Sequence, residues 1–264
     1  MMPELTRDNY YGPEANREYM SHSQYQDFLS CEAMAMAKLR GEWAPEGDTA
    51  LLVGSYIHAW NEGCLEEFKQ KHPEMFTKKG ELYAQFRFAD QMIATLANDP
   101  MCMFALEGQK EVIMTAEMFG VPWKIRIDVY GDGRRRIVDL KSTRSINGLV
   151  WSDERWAKVS FIDAYNYPRQ MAIYCEVERI ATGNDNWAEP LIVAVSKEEP
   201  PDKGVISLVD ERRFAAELHG IEENMPRILA VKNGTELPKG CGKCAYCRAT
   251  KKVTKVIHYT EIGA

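Results

Sequence analysis

The stretch Ile125–Thr143 sets apolar against charged positions in the pattern of two strands joined by a turn, and with the run from Glu111 it predicts a three-strand meander over residues 110 to 142. Its last two strands carry Ile125-Arg-Ile-Asp128-Val and Ile137-Val-Asp139-Leu-Lys141. Between them the turn Gly131-Asp132-Gly133 folds one strand back on the other. On the final strand Asp139 and Lys141 share one face, while Val138 and Leu140 share the other. Elsewhere the spacing is that of helices. Ser21 is placed to cap a helix reaching Cys31, with Tyr25, Phe28 and Leu29 as its apolar side. Further helices are predicted over 51 to 68, 85 to 98, 167 to 182 and 211 to 231. The β-branched runs at 191 to 196 and 205 to 209 predict strands, the first of them buried. Residues 1 to 20 are polar and aperiodic, and loose order is expected there. A loop with Trp151 and Trp156 leads from the meander into the helix of Gln170.

The antiparallel turn lets two carboxylates, Asp128 and Asp139, converge with the ammonium of Lys141. Close carboxylates repel unless a cation sits between them, and hard oxygen donors select Mg²⁺ or Mn²⁺. Such an ion activates water and stabilises charge on a phosphoryl group. Lys141 would then orient the nucleophile or neutralise developing charge. The other reading of the same residues is an exposed hairpin with an Asp/Lys pair.

Two outlying motifs bear on that choice. Upstream stands Gly54-Ser-Tyr-Ile-His58, and downstream Tyr167-Pro-Arg-Gln170-Met-Ala-Ile-Tyr174. With the acid hairpin between them, the sequence resembles the PD-(D/E)XK nucleases, in the RecB/lambda-exonuclease branch, nearest the RecE (exonuclease VIII)-like enzymes of phage and prophage. The resemblance covers roughly residues 20 to 250. It departs from the family name at Ile127, which precedes the first acid where that name has Pro.

The resemblance implies an α/β (α+β) fold with a restriction-endonuclease-like core. A central mixed sheet would contain the antiparallel meander and be flanked by helices. It implies that His58, Asp128, Asp139 and the Leu140 carbonyl hold Mg²⁺ or Mn²⁺, with Glu111 as a further acid, and that Lys141, Gln170 and Tyr174 face the reacting phosphate. The implied activity is metal-dependent exonuclease digestion of linear double-stranded DNA from an end, the 3′ tail passing to a single-strand annealing protein. A homo-oligomeric ring is implied as well. The alternatives are an endonuclease or nuclease subunit of a repair assembly, and a non-catalytic module binding DNA ends.

Each motif has a purely structural reading beside the functional one. A lone His near a helix start is commonly a satisfied polar residue, and Glu111 is on its own a surface glutamate. Gly54, four residues before His58, would let another backbone approach. Tyr167, Gln170, Met171 and Tyr174 form one helical face of core character. Gln170 is its odd member, and a buried amide needs a partner. A DNA phosphate or a metal-bound water would supply one.

At 264 residues and 45% hydrophobic the chain is long enough for a large core, and one nuclease domain is expected from 21 to 264. No apolar run has the length of a membrane span and the start lacks a secretory signal, so a cytoplasmic protein is expected. The net charge of −6 looks unsuited to DNA. Its distribution is uneven, with ten basic residues against six acids from Lys124 to Arg169 and six basic residues without an acid from Lys239 to Lys255. Arg144 and Arg169 are candidate phosphate contacts in the first stretch. Trp151 and Trp156 either stack on bases or pack their loop onto the body.

The Cys-rich segment, residues 239–255, contains Cys241-Gly-Lys-Cys244-Ala-Tyr-Cys247, and Cys31 is available far upstream. A tight C-x-x-C-x-x-C in such a chain points to metal rather than disulfides, and a fourth thiolate would close the site. The arrangement resembles the iron–sulfur nucleases of the same superfamily, including the AddB nuclease domain and certain CRISPR-associated nucleases. That resemblance implies a [4Fe–4S] cluster on Cys31, Cys241, Cys244 and Cys247. The last spacing is shorter than usual there, so a cluster, zinc and no metal all stay open. Cys64, Cys102 and Cys175 read as small buried hydrophobes.

Overall fold

The structure is a computed structural model that describes residues 4–44, 49–131, 133, 135–152, 155–256 and 258–261, with Thr49, Ala50 and Glu261 described by backbone alone. Asp132 of the hairpin turn lies outside the described residues. Helix α1 (Pro13–Glu18) has Pro at its first turn, where no N–H is required. The loose order expected of residues 1 to 20 is therefore corrected over the described part. Tyr10, Ala15, Tyr19 and Met20 are buried, and Met20 exchanges backbone hydrogen bonds of 2.8 Å with Pro122 and Lys124. The segment covers a strand edge that would otherwise leave peptide groups unpaired.

Ser21 caps α2 (His22–Ser30) as expected, its hydroxyl accepting from the Gln24 N–H at 3.3 Å. Cys31 is an extended hinge residue before α3 (Glu32–Leu39), which the sequence reading did not separate. The helix predicted over 51 to 68 is two, α4 (Thr49–Glu62) and α5 (Leu65–Lys71), because Gly63 turns left-handed at φ 81° and ends the first. Helices α6 (Ala84–Ala97) and α7 (Pro100–Ala105) follow, the latter capped by Asp99.

Strands β1 (Gln109–Met118), β2 (Val121–Gly131) and β3 (Arg136–Thr143) form the predicted meander. The Trp151 loop is a small hairpin, β4 (Val150–Ser152) and β5 (Ala157–Val159). After α8 (Phe161–Ala164), α9 (Tyr167–Thr182) crosses over to β6 (Glu189–Ser196), which lies parallel to β3, and β7 (Lys203–Ser207) pairs antiparallel beyond it. Helices α10 (Glu211–Lys232) and α11 (Ala245–Thr250) follow, and a 3-10 turn lies at Tyr259–Glu261.

The sheet order is β1-β2-β3-β6-β7. It is a mixed α+β architecture with helices on both faces. Trp123, Ile125, Ile137 and Ile192 pack with α2, α3, α9 and α10 on one face. Val129, Val138, Leu140 and Val193 pack with α4, α6 and α7 on the other. Among the described residues no helix is long and apolar enough to cross a membrane.

Candidate active site

The alternation of β2 breaks at the first acid. Ile125 and Ile127 belong to the core beneath α9, yet Val129 belongs to the core beneath α4. At the break, Asp128 Oδ2 accepts the backbone N–H of Leu140 at 2.8 Å, so a carboxylate stands in for a rung of the β2–β3 ladder. Across β1, Glu111 sits between the paired residues Lys110 and Val112, with φ at 56°. A left-handed glutamate is strained, and such strain persists only where its surroundings enforce it.

These distortions gather the charged groups. His58 from α4 places Nδ1 3.5 Å from Asp128 Oδ1. Ligand atoms of His58, Glu111 and Asp128 all lie within 4.8 Å of one another. Asp139 lies beside this trio with its oxygens already engaged: Oδ1 accepts from Gln170 Nε2 at 2.8 Å, and Oδ2 meets Lys141 Nζ at 2.6 Å. Apart from that ion pair, the buried Oδ2 has no hydrogen bond. The donor set of two or three carboxylates and one imidazole suits a hard divalent cation.

Burial pushes all three carboxyls up, and their neighbours separate them. Asp128 is nevertheless held below the ordinary range by His58, Lys141 and the Leu140 N–H. Asp139 stays raised, since burial and the Asp128 charge outweigh Lys141. Glu111 is pushed up to about 7 by burial and by Asp128, against the pull of Arg126. Burial lowers His58 and Asp128 more than restores it, leaving it above the free imidazole. Without a cation the cluster thus favours protons on Glu111 and His58, the redistribution expected of crowded acids.

The site residues read from the sequence converge on one cavity of about 530 Å³, lined by His58, Glu111, Asp128, Asp139, Lys141, Gln170 and Tyr174. Two details differ from the sequence reading. Gln170 finds its partner inside the chain, on Asp139, rather than waiting for a phosphate or water. Gly54 admits no second backbone; the nearest atom to a Cβ there would be Ser142 Oγ at 3.7 Å, an ordinary contact. The sequence reading missed part of the wall. Arg126 holds Glu111 at 2.7 Å and lies under Tyr11, which is 64% exposed. Tyr10, Ser21 and His22 line the same cavity, as does Cys64, which is half-buried rather than core. Arg126 was findable, being two residues from Asp128. The tyrosines, in an aperiodic stretch, gave no signal.

Much of the basic stretch, among the described residues, is engaged within the chain. Arg126, Arg135, Lys141, Arg155 and Arg169 are paired with Glu111, Glu178, Asp139, Asp163 and Glu217, and Arg136 is buried against the carbonyls ending α7. Arg169 also reaches Gln26 at 2.9 Å, so it ties α9 to α10 and α2 rather than facing solvent as a phosphate contact. Arg144 is exposed. Trp156 is 82% exposed and Trp151 53%, on the hairpin of β4 and β5.

At the other end of α2, Cys31 meets Cys241, Cys244 and Cys247, whose sulfurs lie within 4.8 Å of one another. Cys102 and Cys175 are buried as expected.

A family model described as a PDDEXK-like domain of unknown function (DUF3799) matches residues 21–250. A crystal structure of a Eubacterium rectale protein described as "Putative exonuclease" is similar at 42% identity, covering 99% of each chain with a TM-score of 0.93. A crystal structure of SSO0001 aligns at 12% identity over 85% of this chain and 89% of that one, with a TM-score of 0.28. No curated protein matches the sequence.

Proposed function

Because the chain belongs to the family of PDDEXK-like domains of unknown function (DUF3799), we propose that it is a divalent-metal-dependent exonuclease of linear double-stranded DNA. The observation that carries this reading is the convergence of His58, Glu111, Asp128, Asp139 and Lys141 on one cavity. The Eubacterium rectale relative, described as a "Putative exonuclease" and alike over 99% of each chain, supports the choice of end-directed cleavage. By the resemblance to RecE, the proposal extends to a place in phage-type recombination, with a ring assembly and an annealing protein taking the remaining strand.

His58, Glu111, Asp128 and Asp139 would hold Mg²⁺ or Mn²⁺, with the Leu140 carbonyl. When bound, the ion supplies an acidified water and a positive charge against the phosphate. The remaining steps belong to the chain. Lys141 keeps its proton, since Asp139 and Asp128 outweigh its burial, and offers a fixed cation to charge developing on phosphate. Gln170 orients Asp139, and Tyr174, its hydroxyl held protonated by burial, serves as a donor in the same wall. Arg144, Trp151 and Trp156 are the exposed residues proposed to meet the DNA.

End-labelled linear duplex and covalently closed circles, each incubated with Mg²⁺ and with EDTA, test the proposal. Loss of linear DNA alone, and only with Mg²⁺, is expected. Nicking of circles would make the protein an endonuclease, and inertness toward both would overturn the reading.

The electrostatics also fix a pH dependence. A ligand must shed its proton to bind metal. With Glu111 at about 7 and His58 raised, lowering the pH through neutrality protonates both. Mn²⁺ affinity measured by calorimetry should fall by at least about tenfold per unit below about pH 7, and Glu111→Gln should flatten that slope. Affinity unchanged between about pH 6 and 8 would contradict the ligand set.

A further inference from the structure

We infer that Cys31, Cys241, Cys244 and Cys247 form a mononuclear tetrahedral site for one zinc ion, and not the seat of a four-iron cluster. The size of the thiol group distinguishes the two, independently of the chemistry in the cavity. All four sulfurs lie within 4.8 Å of one another, and those of Cys31 and Cys247 are 3.5 Å apart. A zinc ion with Zn–S bonds of about 2.3 Å holds its four sulfurs about 3.8 Å apart. In a [4Fe–4S] cube the iron tetrahedron pushes the cysteine sulfurs outward, to roughly 6 Å or more. The arrangement here fits the ion and is too small for the cube.

The surroundings are built for thiolates. The N–H of Cys241 donates to the Cys31 sulfur at 3.3 Å, that of Cys244 to the Cys241 sulfur at 3.3 Å, and that of Cys247 to the Cys244 sulfur at 3.4 Å. Among the described residues, no carboxylate or imidazole joins the group. Four soft donors select zinc among common divalent ions, and a closed set makes a structural rather than a catalytic centre. Two positive charges against four thiolates leave a net negative site.

Three elements carry the site. The Ala33 N–H donates to the Lys239 carbonyl at 3.1 Å, and the Lys239 N–H to Glu32 Oε2 at 2.7 Å. Glu32 is in turn paired at 2.7 Å with Arg227 of α10. Helix α11 has six residues, too few to stand without support, and two of the four sulfurs bracket its first turns. Cys31 ends α2, whose opposite end lines the cavity with Ser21 and His22. The ion would therefore clip the C-terminal segment to a helix that walls the cavity.

The test is elemental analysis of full-length chain purified anaerobically from cells supplied with both iron and zinc, followed by chelation and reloading with Co²⁺. One zinc per chain with negligible iron is expected, also in Asp139→Asn, which leaves the thiolates untouched. Cobalt should give one equivalent of the intense visible bands of tetrahedral thiolate coordination. Cys244→Ser should lose the metal, and the cobalt spectrum of the unaltered chain decides the matter if that variant does not fold. Brown protein with about four irons and absorbance near about 400 nm would overturn the proposal. So would a chain that carries neither metal and takes up no cobalt.

Discussion

Asp128→Asn and Asp139→Asn are each expected to lower DNA cleavage by about a thousandfold or more, with the far-ultraviolet dichroism of the fold unchanged. Both side chains are buried, and the two are engaged differently. Asp128 is held by His58 and by the Leu140 N–H, Asp139 by Gln170 and Lys141. An amide preserves the volume and one acceptor oxygen in each place while removing the charge that a divalent cation needs. The two variants should separate in calorimetry. Asp128→Asn removes a member of the His58, Glu111 and Asp128 trio and should abolish measurable Mn²⁺ binding. Asp139→Asn, outside the trio, should weaken it. Cleavage at the original rate in either variant would remove that acid from the reaction centre.

The acid hairpin was legible because a strand period and a turn are local, and locality fixes which face a side chain takes. Asp139 and Lys141 on one face and Val138 and Leu140 in the opposite core follow from the period of two alone. The break at Asp128 did not. Ile125, Ile127 and Val129 read as one uninterrupted alternation, and only a carboxylate displacing a ladder hydrogen bond changes the face. The left-handed backbone of Glu111 was hidden for the same reason, since nothing in its neighbours' identities demands it. Charge was the poorest guide. A stretch with ten basic residues looks like a binding strip until half of them are given their acids, and Arg135, Arg155 and Arg169 meet acids from 8 to 48 positions away. The thiol group shows the converse. Cys31 and Cys247 are 216 positions apart, yet their shared chemistry joined them where periodicity could not.

Lys141→Ala should separate metal binding from turnover. The ammonium lies 2.6 Å from Asp139 and over the ring of Tyr167, and the nearby acids keep it charged. Removing one preorganised cation near the reacting phosphate costs about a hundredfold or more in kcat. Metal affinity should respond weakly. Lys141 competes with a cation for Asp139, and its loss leaves that buried carboxyl to take up a proton, which an incoming ion can displace. Mn²⁺ binding within about tenfold of the original chain is therefore expected beside the slowed turnover. Gln170→Ala should behave differently, because Gln170 touches Asp139 and holds its Oδ1. A freed carboxylate turns, so both affinity and rate should fall, and Gln170→Glu should not restore them, since it sets a like charge against Asp139. If Lys141→Ala instead loses Mn²⁺ while Gln170→Ala keeps it, the roles are reversed: Lys141 would be the residue that positions Asp139, and the charge that meets the phosphate would have to come from elsewhere in the cavity wall, where Arg126 beneath Tyr11 is the nearest cation to the trio.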